Sequence, residues 1–245
     1  MIFFVMENLS IDLADKLKAF NNGLSEPEKA NFKLILGLSA GGLITDMRRP
    51  EKLDEAVAID TVTETLSKLQ PYSNRISKNG IAYKGRPQFV TDQLLKDLQE
   101  EALSIRGAAI RFDEHFLGCG APIANELAVS KELVDFVQVH TGKVKPTGVA
   151  SFLFYDEEGQ GIDPHIDTDI FSLNVLLMLS HEESRNPNHD SALFVFPPGE
   201  RPEKINLLPG EIVIMFAGSI AHGRQRMKRG ESVSILTFGF HPLGL

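Results

Sequence analysis

The chain has 245 residues, 42% of them hydrophobic and 24% charged, which suits one sizeable globular domain. Its net charge of −8 argues against a general nucleic-acid binder, which needs an excess of basic surface. One cysteine, Cys119, excludes an intramolecular disulfide and any Cys-based zinc or iron–sulfur cluster, so a reducing cytoplasm is the expected setting.

Residues 1–6 are apolar, but Glu7 ends the run, which is too short for a membrane span and lacks the basic leader of a signal peptide. The first seventy residues then read as helical. Ser10 caps a stretch with Leu13 and Leu17 four residues apart. Ser25-Glu26-Pro27-Glu28 is a capping box with proline in the first turn, leading into Leu34, Ile35 and Leu38 and stopping at Gly41-Gly42. A third pattern, Leu53, Val57, Leu66 and Leu69, ends before Pro71. Thr91 opens a further helix with Leu94, Leu95, Leu98 and Ala102, and Ser130 opens a short one through Leu133, Val134 and Val137.

From residue 148 the pattern changes. Residues 149–155, 171–179, 193–196, 212–216 and 233–240 are short runs rich in β-branched and aromatic side chains, separated by Gly, Pro, Asn and Asp. Short strands behind a helical front predict a sandwich or barrel backed by helices. The expected division of this single domain is a mainly helical buttress over 1–145 and a sheet core over 146–245 carrying the site.

His165-Ile166-Asp167 follows a turn-forming stretch, Glu157-Glu158-Gly159-Gln160-Gly161. Residues two apart in an extended segment face the same side, so imidazole and carboxylate can converge on one point. His222, soon after the strand at 212–216, is the candidate third ligand. Two imidazoles and one carboxylate on one face of an octahedral ion leave three positions open, which suits Fe(II) and oxygen chemistry. The same trio with zinc would serve a hydrolase or isomerase, and a cupin-like binding protein is a third reading. His115, His140, His181, His189 and His241 lack partner spacing for a second metal and are expected at the surface or in packing. His181-Glu182-Glu183 is no zinc helix, because Arg185 stands where a second histidine is required.

Three stretches resemble the Fe(II)/2-oxoglutarate oxygenases. Tyr155 with Pro164-His165-Ile166-Asp167 is similar to their first metal motif. Ser191-Ala192-Leu193-Phe194-Val195-Phe196-Pro197 resembles their intervening strand, and Pro209-Gly210-Glu211-Ile212-Val213-Ile214-Met215-Phe216 with His222 resembles the approach to their distal histidine. The resemblance covers roughly residues 148–240. It implies a double-stranded β-helix (jelly-roll) core, 2-oxoglutarate and O2 as cosubstrates, and oxidation of a small molecule, by default hydroxylation. Halogenation is disfavoured because Asp167 keeps the carboxylate that halogenases of this kind lack.

The family often carries an arginine in a Gly-x-Arg-x-Ser pattern that grips the far carboxylate of 2-oxoglutarate. Here that stretch is Gly230-Glu231-Ser232-Val233-Ser234, with Ser232 in the arginine's place. Arg224 and Arg229 are the leading substitutes, beside Arg226 and Lys228 in the same loop and Arg75, Arg86, Arg106 and Arg111 elsewhere; the alternative is an Fe(II) oxygenase that takes its electrons from the substrate and uses no 2-oxoglutarate. Ser232, Ser234, Tyr155 and Asn174 complete the expected cosubstrate contacts.

Overall fold

The computed structural model describes residues 13–25, 28, 29, 32, 36, 61, 65, 79–112, 114–167, 169–184, 190–197 and 202–243. Residues 13–22 are helical, and the capping box forms: the Ser25 amide and hydroxyl both donate to Glu28 Oε2, at 2.8 and 2.5 Å. The Ser10 cap, the Gly41-Gly42 stop, Arg75, Arg185, His189 and most of the 53–69 pattern lie outside the described residues; Thr61 and Thr65 within that pattern are helical. Helix α1 (Asp92–Arg106) is capped by Thr91, whose hydroxyl accepts from the Leu94 amide at 3.1 Å. A short α2 (Pro122–Ala128) precedes α3 (Lys131–Thr141), which Ser130 caps by accepting from the Leu133 amide at 3.2 Å.

The strands are β1 (Ile81–Gly85), β2 (Ile110–Phe112), β3 (His115–Gly118), β4 (Val144–Tyr155), β5 (Ile162–His165), β6 (Leu173–Glu182), β7 (Leu193–Phe196), β8 (Glu203–Ile205), β9 (Ile212–Met215), β10 (Ala221–Arg224) and β11 (Ser232–Pro242). They form a seven-stranded sheet in the order β1-β9-β6-β11-β4-β3-β2 and a four-stranded sheet in the order β5-β10-β7-β8. Neighbouring strands pair antiparallel, as in β11 with β4 and with β6.

Both faces of the larger sheet are covered, which explains why its strands read as continuous apolar runs rather than alternating ones. Strand β6 sends Leu173, Val175, Leu177 and Leu179 towards α1–α3 and sends Leu176 and Met178 between the sheets. Strand β11 does the same with Leu236, Phe238 and Phe240 on the helical side and Val233 and Ile235 inside. Burial of each such side chain contributes about 1.5–3 kcal/mol. The strand leading to the distal histidine starts from a tight turn in which Gly210 adopts φ +86° and the Glu211 amide donates to Leu208 O at 2.8 Å. Pro209 pre-sets the turn and only glycine tolerates that φ without strain.

The front is not purely a helical buttress. Strands β1, β2 and β3 fall before residue 145 and extend both ends of the larger sheet. They are only three to five residues long, too short to set up a legible period; β2 and β3 pair with each other, but the partners that join β1 and β3 to the rest of the sheet, β9 and β4, lie far along the chain.

Candidate metal centre and its cavity

Strands β5 and β10 are neighbours in the smaller sheet, and their register sets His165 directly opposite His222. The two imidazole centroids are 4.4 Å apart. Just past the end of β5, the Asp167 amide donates to Ala217 O at 2.9 Å, which turns its carboxylate back towards the imidazoles. Asp167 Oδ1 lies 3.3 Å from His165 Nε2 and 3.6 Å from His222 Nε2. Bonds of about 2.1 Å at right angles separate donor atoms by about 3 Å, so a small inward shift completes a three-donor face.

Both tautomers follow from the backbone. His165 Nδ1 sits 2.8 Å from Asp163 O and His222 Nδ1 sits 3.0 Å from Ile220 O. A carbonyl only accepts, so each Nδ1 carries the proton and each Nε2 can present a lone pair to a metal. Asn174 Nδ2 donates to Asp167 Oδ2 at 2.7 Å, leaving Oδ1 for the cation. Burial alone would raise the Asp167 carboxyl, but His222 and His165 beside it hold it well below the usual carboxylate range. Burial would lower His165, and the Asp167 carboxylate more than offsets that, so its pKa is raised. This is a donor set that wants positive charge among its three atoms, and a divalent cation fits it.

The trio faces a cavity of about 680 Å³ between the sheets. Along β11, Asn174 pairs opposite Gly239 and Tyr155 opposite Val233, so they mark opposite ends of that cavity. Arg224, two residues beyond His222 on β10, lines it and is only 4% exposed. Its Nη2 donates to Ser191 Oγ at 3.0 Å, its Nε is buried with no partner among the described residues, and its Cζ lies 5.3 Å from the Tyr155 ring centroid. Burial pulls the guanidinium pKa down, opposed by Tyr155 and Glu231, yet arginine starts so high that it stays charged. Burial pushes the Tyr155 hydroxyl up, so it is a neutral donor.

Ser191 is held from behind. Its hydroxyl donates to Glu231 Oε1 at 2.5 Å, so its lone pair is what meets Arg224. Glu231 also accepts from His181 Nε2, the Ser191 amide and the Lys228 amide, each at 2.9 Å. Burial alone would raise this carboxyl, but those donors, His181 foremost, take it down to about 2. His181, Asp190 and Glu231 also bring ligand-type atoms together beside a second cavity of about 320 Å³. Their oxygens are engaged, however: Asp190 accepts from the amide (2.8 Å) and the hydroxyl of Ser184. This network fixes Ser191 and, through it, Arg224.

The other expected cosubstrate contacts fall elsewhere. Val233 and Ile235 face the inter-sheet core and Thr237 lines the cavity, so the alternation of β11 turns Ser232 and Ser234 to the opposite face. The inward position beside the expected arginine is held by Val233. Arg229 is exposed at the corner of a turn in which Gly230 has φ +80° and the Glu231 amide donates to Lys228 O at 3.0 Å. Arg226, Arg86 and Arg106 pair with Asp163, Asp92 and Asp156, at 2.6–2.7 Å, and Arg111 lies 3.6 Å from Glu157. His140 packs against Tyr83 and Phe136, as expected of a packing histidine. His115 is a packing histidine too, stacked on Tyr155 at 5.5 Å, and it also lines the cavity. A single histidine on a four-residue strand carries no spacing signal that could have found it.

No protein-family model and no curated protein matches the sequence. Solved structures do match in fold. An oxidoreductase of the 2OG-Fe(II) oxygenase family from Burkholderia pseudomallei aligns at 11% identity over 70% of this chain and 88% of that one, with a TM-score of 0.56. HygX from Streptomyces hygroscopicus, solved with nickel, 2-oxoglutarate and hygromycin B, aligns at 12% identity over 71% and 87%, with a TM-score of 0.54. A Pseudomonas putida prolyl-4-hydroxylase aligns at 17% identity over 71% and 98%, with a TM-score of 0.52. The expected jelly-roll core therefore stands: the chain has the fold of 2-oxoglutarate–Fe(II) oxygenases and carries a His-Asp-His trio. Among the described residues no helix is long and apolar enough to cross a membrane.

Proposed function

We propose that the chain is an Fe(II)- and 2-oxoglutarate-dependent dioxygenase that oxidises a small molecule, hydroxylation being the default outcome. The observation that carries this reading is the convergence of Asp167 Oδ1 with two oriented Nε2 atoms in an internal cavity whose far end holds a buried guanidinium. His165, Asp167 and His222 would hold the iron, which together with O2 and the 2-oxo acid supplies the oxidising power.

The chain's own residues position and shield. The Nδ1 hydrogen bonds of the two histidines fix their rings, and Asn174 keeps Asp167 Oδ2 occupied. Two residues along a strand span about 6.6 Å, so His222 and Arg224 present the two ends of one short track on β10. Arg224, in a charge-assisted pair, and the Tyr155 hydroxyl would hold the far carboxylate of the cosubstrate at the end of that track. Leu153, Leu176, Leu193 and Ile235 line the space between and exclude water. Cys119 is exposed and unpaired, which suits the reducing cytoplasm proposed as the setting.

The test is anaerobic addition of Fe(II) and then 2-oxoglutarate, followed in the visible spectrum. A weak charge-transfer band is expected in the native chain. Iron binding without a band would remove 2-oxoglutarate and leave an Fe(II) oxygenase of the same fold. Turnover with zinc and without oxygen would favour the hydrolase reading instead.

A further inference from the structure

The larger sheet ends at β2 and the smaller at β5. Side chains from both edges line the cavity, Phe112 and Leu117 on one side and Ile162 and Pro164 on the other, so the cavity runs along the seam between them. Among the described residues the seam is stitched where the Gly161 amide donates to Glu114 O at 3.2 Å and Arg226 bridges Asp163 (2.7 Å) and Glu114 (3.5 Å), with Arg111 of β2 lying 3.6 Å from Glu157. Beside this stitch Phe112 lines the cavity while remaining 60% exposed, so the cavity reaches the surface there.

Aromatic rings lead inward from that mouth. Phe112 meets His115 edge-on at 5.7 Å, and His115 stacks on Tyr155 at 5.5 Å and 23°. With the metal and 2-oxoglutarate bound as proposed above, the charges lining the cavity are committed, among the described residues. Asp163 is paired with Arg226, Asp167 and its two histidines form the metal trio, and Arg224 serves the cosubstrate. A charged ligand would therefore be buried without a partner, at a cost of several kcal/mol. A flat apolar ring, by contrast, matches ring faces and aliphatic walls at ordinary stacking distances.

We infer that the β2–β5 seam admits, and the Phe112–His115–Tyr155 ladder binds, an uncharged, predominantly apolar molecule bearing a flat ring. This names the substrate class of the oxygenase proposed above and rests on that reading. The substrate's apolar body lies against Leu117 and the ladder, and its far edge leans on Phe112 at the mouth.

The probe is 2-naphthol, whose fluorescence anisotropy reports binding to the full chain held anaerobically with saturating Fe(II) and 2-oxoglutarate, compared with the 2-naphthoate anion and a 2-naphthylmethylammonium cation. The neutral probe is expected to bind at least tenfold more tightly than either ion. Leu117→Asp is expected to weaken it at least tenfold, and Phe112→Ala, at an exposed position where folding is not at stake, about threefold. Equal or tighter binding of an ion overturns the inference, as does unchanged naphthol binding in both variants. The keto-acid band separates the two readings. A band without naphthol binding overturns the substrate class alone; naphthol binding without a band overturns the oxygenase and leaves an apolar subsite standing.

Discussion

The two ends of the main cavity are built on opposite principles. At one end Asp167, His165 and His222 point their donor atoms at one another, and the two imidazoles hold the carboxyl well below its usual range against the effect of burial. At the other end Glu231 is saturated by four donors, and the group left with unspent hydrogen-bonding capacity is a cation, Arg224. One end is short of positive charge and the other of negative charge. A ligand that is a metal chelate at its head and a carboxylate at its tail answers both.

The comparison breaks most sharply at the carboxylate. Asp167→Ala removes one of three ligands and is expected to weaken ferrous binding more than about 100-fold, measured by anaerobic equilibrium dialysis. Near-native iron affinity would remove the metal end altogether. Next in size, Arg224→Met keeps the stem and deletes the charge. Charged hydrogen bonds contribute about 1.5–3 kcal/mol, so 2-oxoglutarate affinity should fall about 10- to 100-fold with iron affinity unchanged. If iron affinity fell instead, the two ends would not be separable.

Smaller effects sharpen the picture. Asn174→Leu leaves Asp167 Oδ2 without its donor and is expected to cost about tenfold in iron affinity, with little change in the 2-oxoglutarate titration once iron is saturating. Glu231→Gln loosens Ser191, and through it Arg224, and should raise the 2-oxoglutarate KM about fivefold with kcat largely held. Its pH signature is separate. The Glu231 carboxyl sits at about 2 in the folded chain against an ordinary 4.5, so its folded-state pKa is depressed. The stability it contributes is present above about pH 4.5 and is lost as pH falls towards 2. Acid unfolding followed by circular dichroism should therefore be shallower in Glu231→Gln across that window; an identical slope would mean that the network does not hold the ionised form.

The metal end was legible because its chemistry is local. A His-x-Asp pair needs only an extended backbone to put both groups on one side, and His222 is announced by the Pro209-Gly210 turn and the apolar strand after it. The caps at Thr91 and Ser130 were legible for the same reason, each being a contact between near neighbours in sequence. The cation end was not. Arg224, Arg226, Lys228 and Arg229 crowd one loop, and nothing in their order says which is buried. A turn at Gly230 throws Arg229 outward, an ion pair takes Arg226, and Ser191 from β7's approach receives Arg224. Ser232 lies off the cavity face by a single step of alternation, since a shift of one residue exchanges the two faces of a strand.

By itself the sequence determined the side-chain types of the His-Asp-His trio, the strand-rich second half and the order in which the trio's residues appear. Those follow from side-chain chemistry and short-range periodicity, which act over a few residues. Only the tertiary structure decided which cation faces the cavity, that His115 belongs to its wall, and that β2 and β5 close on one seam. Those outcomes depend on burial and pairing between elements distant along the chain, where the cost of an unpartnered charge selects a single arrangement.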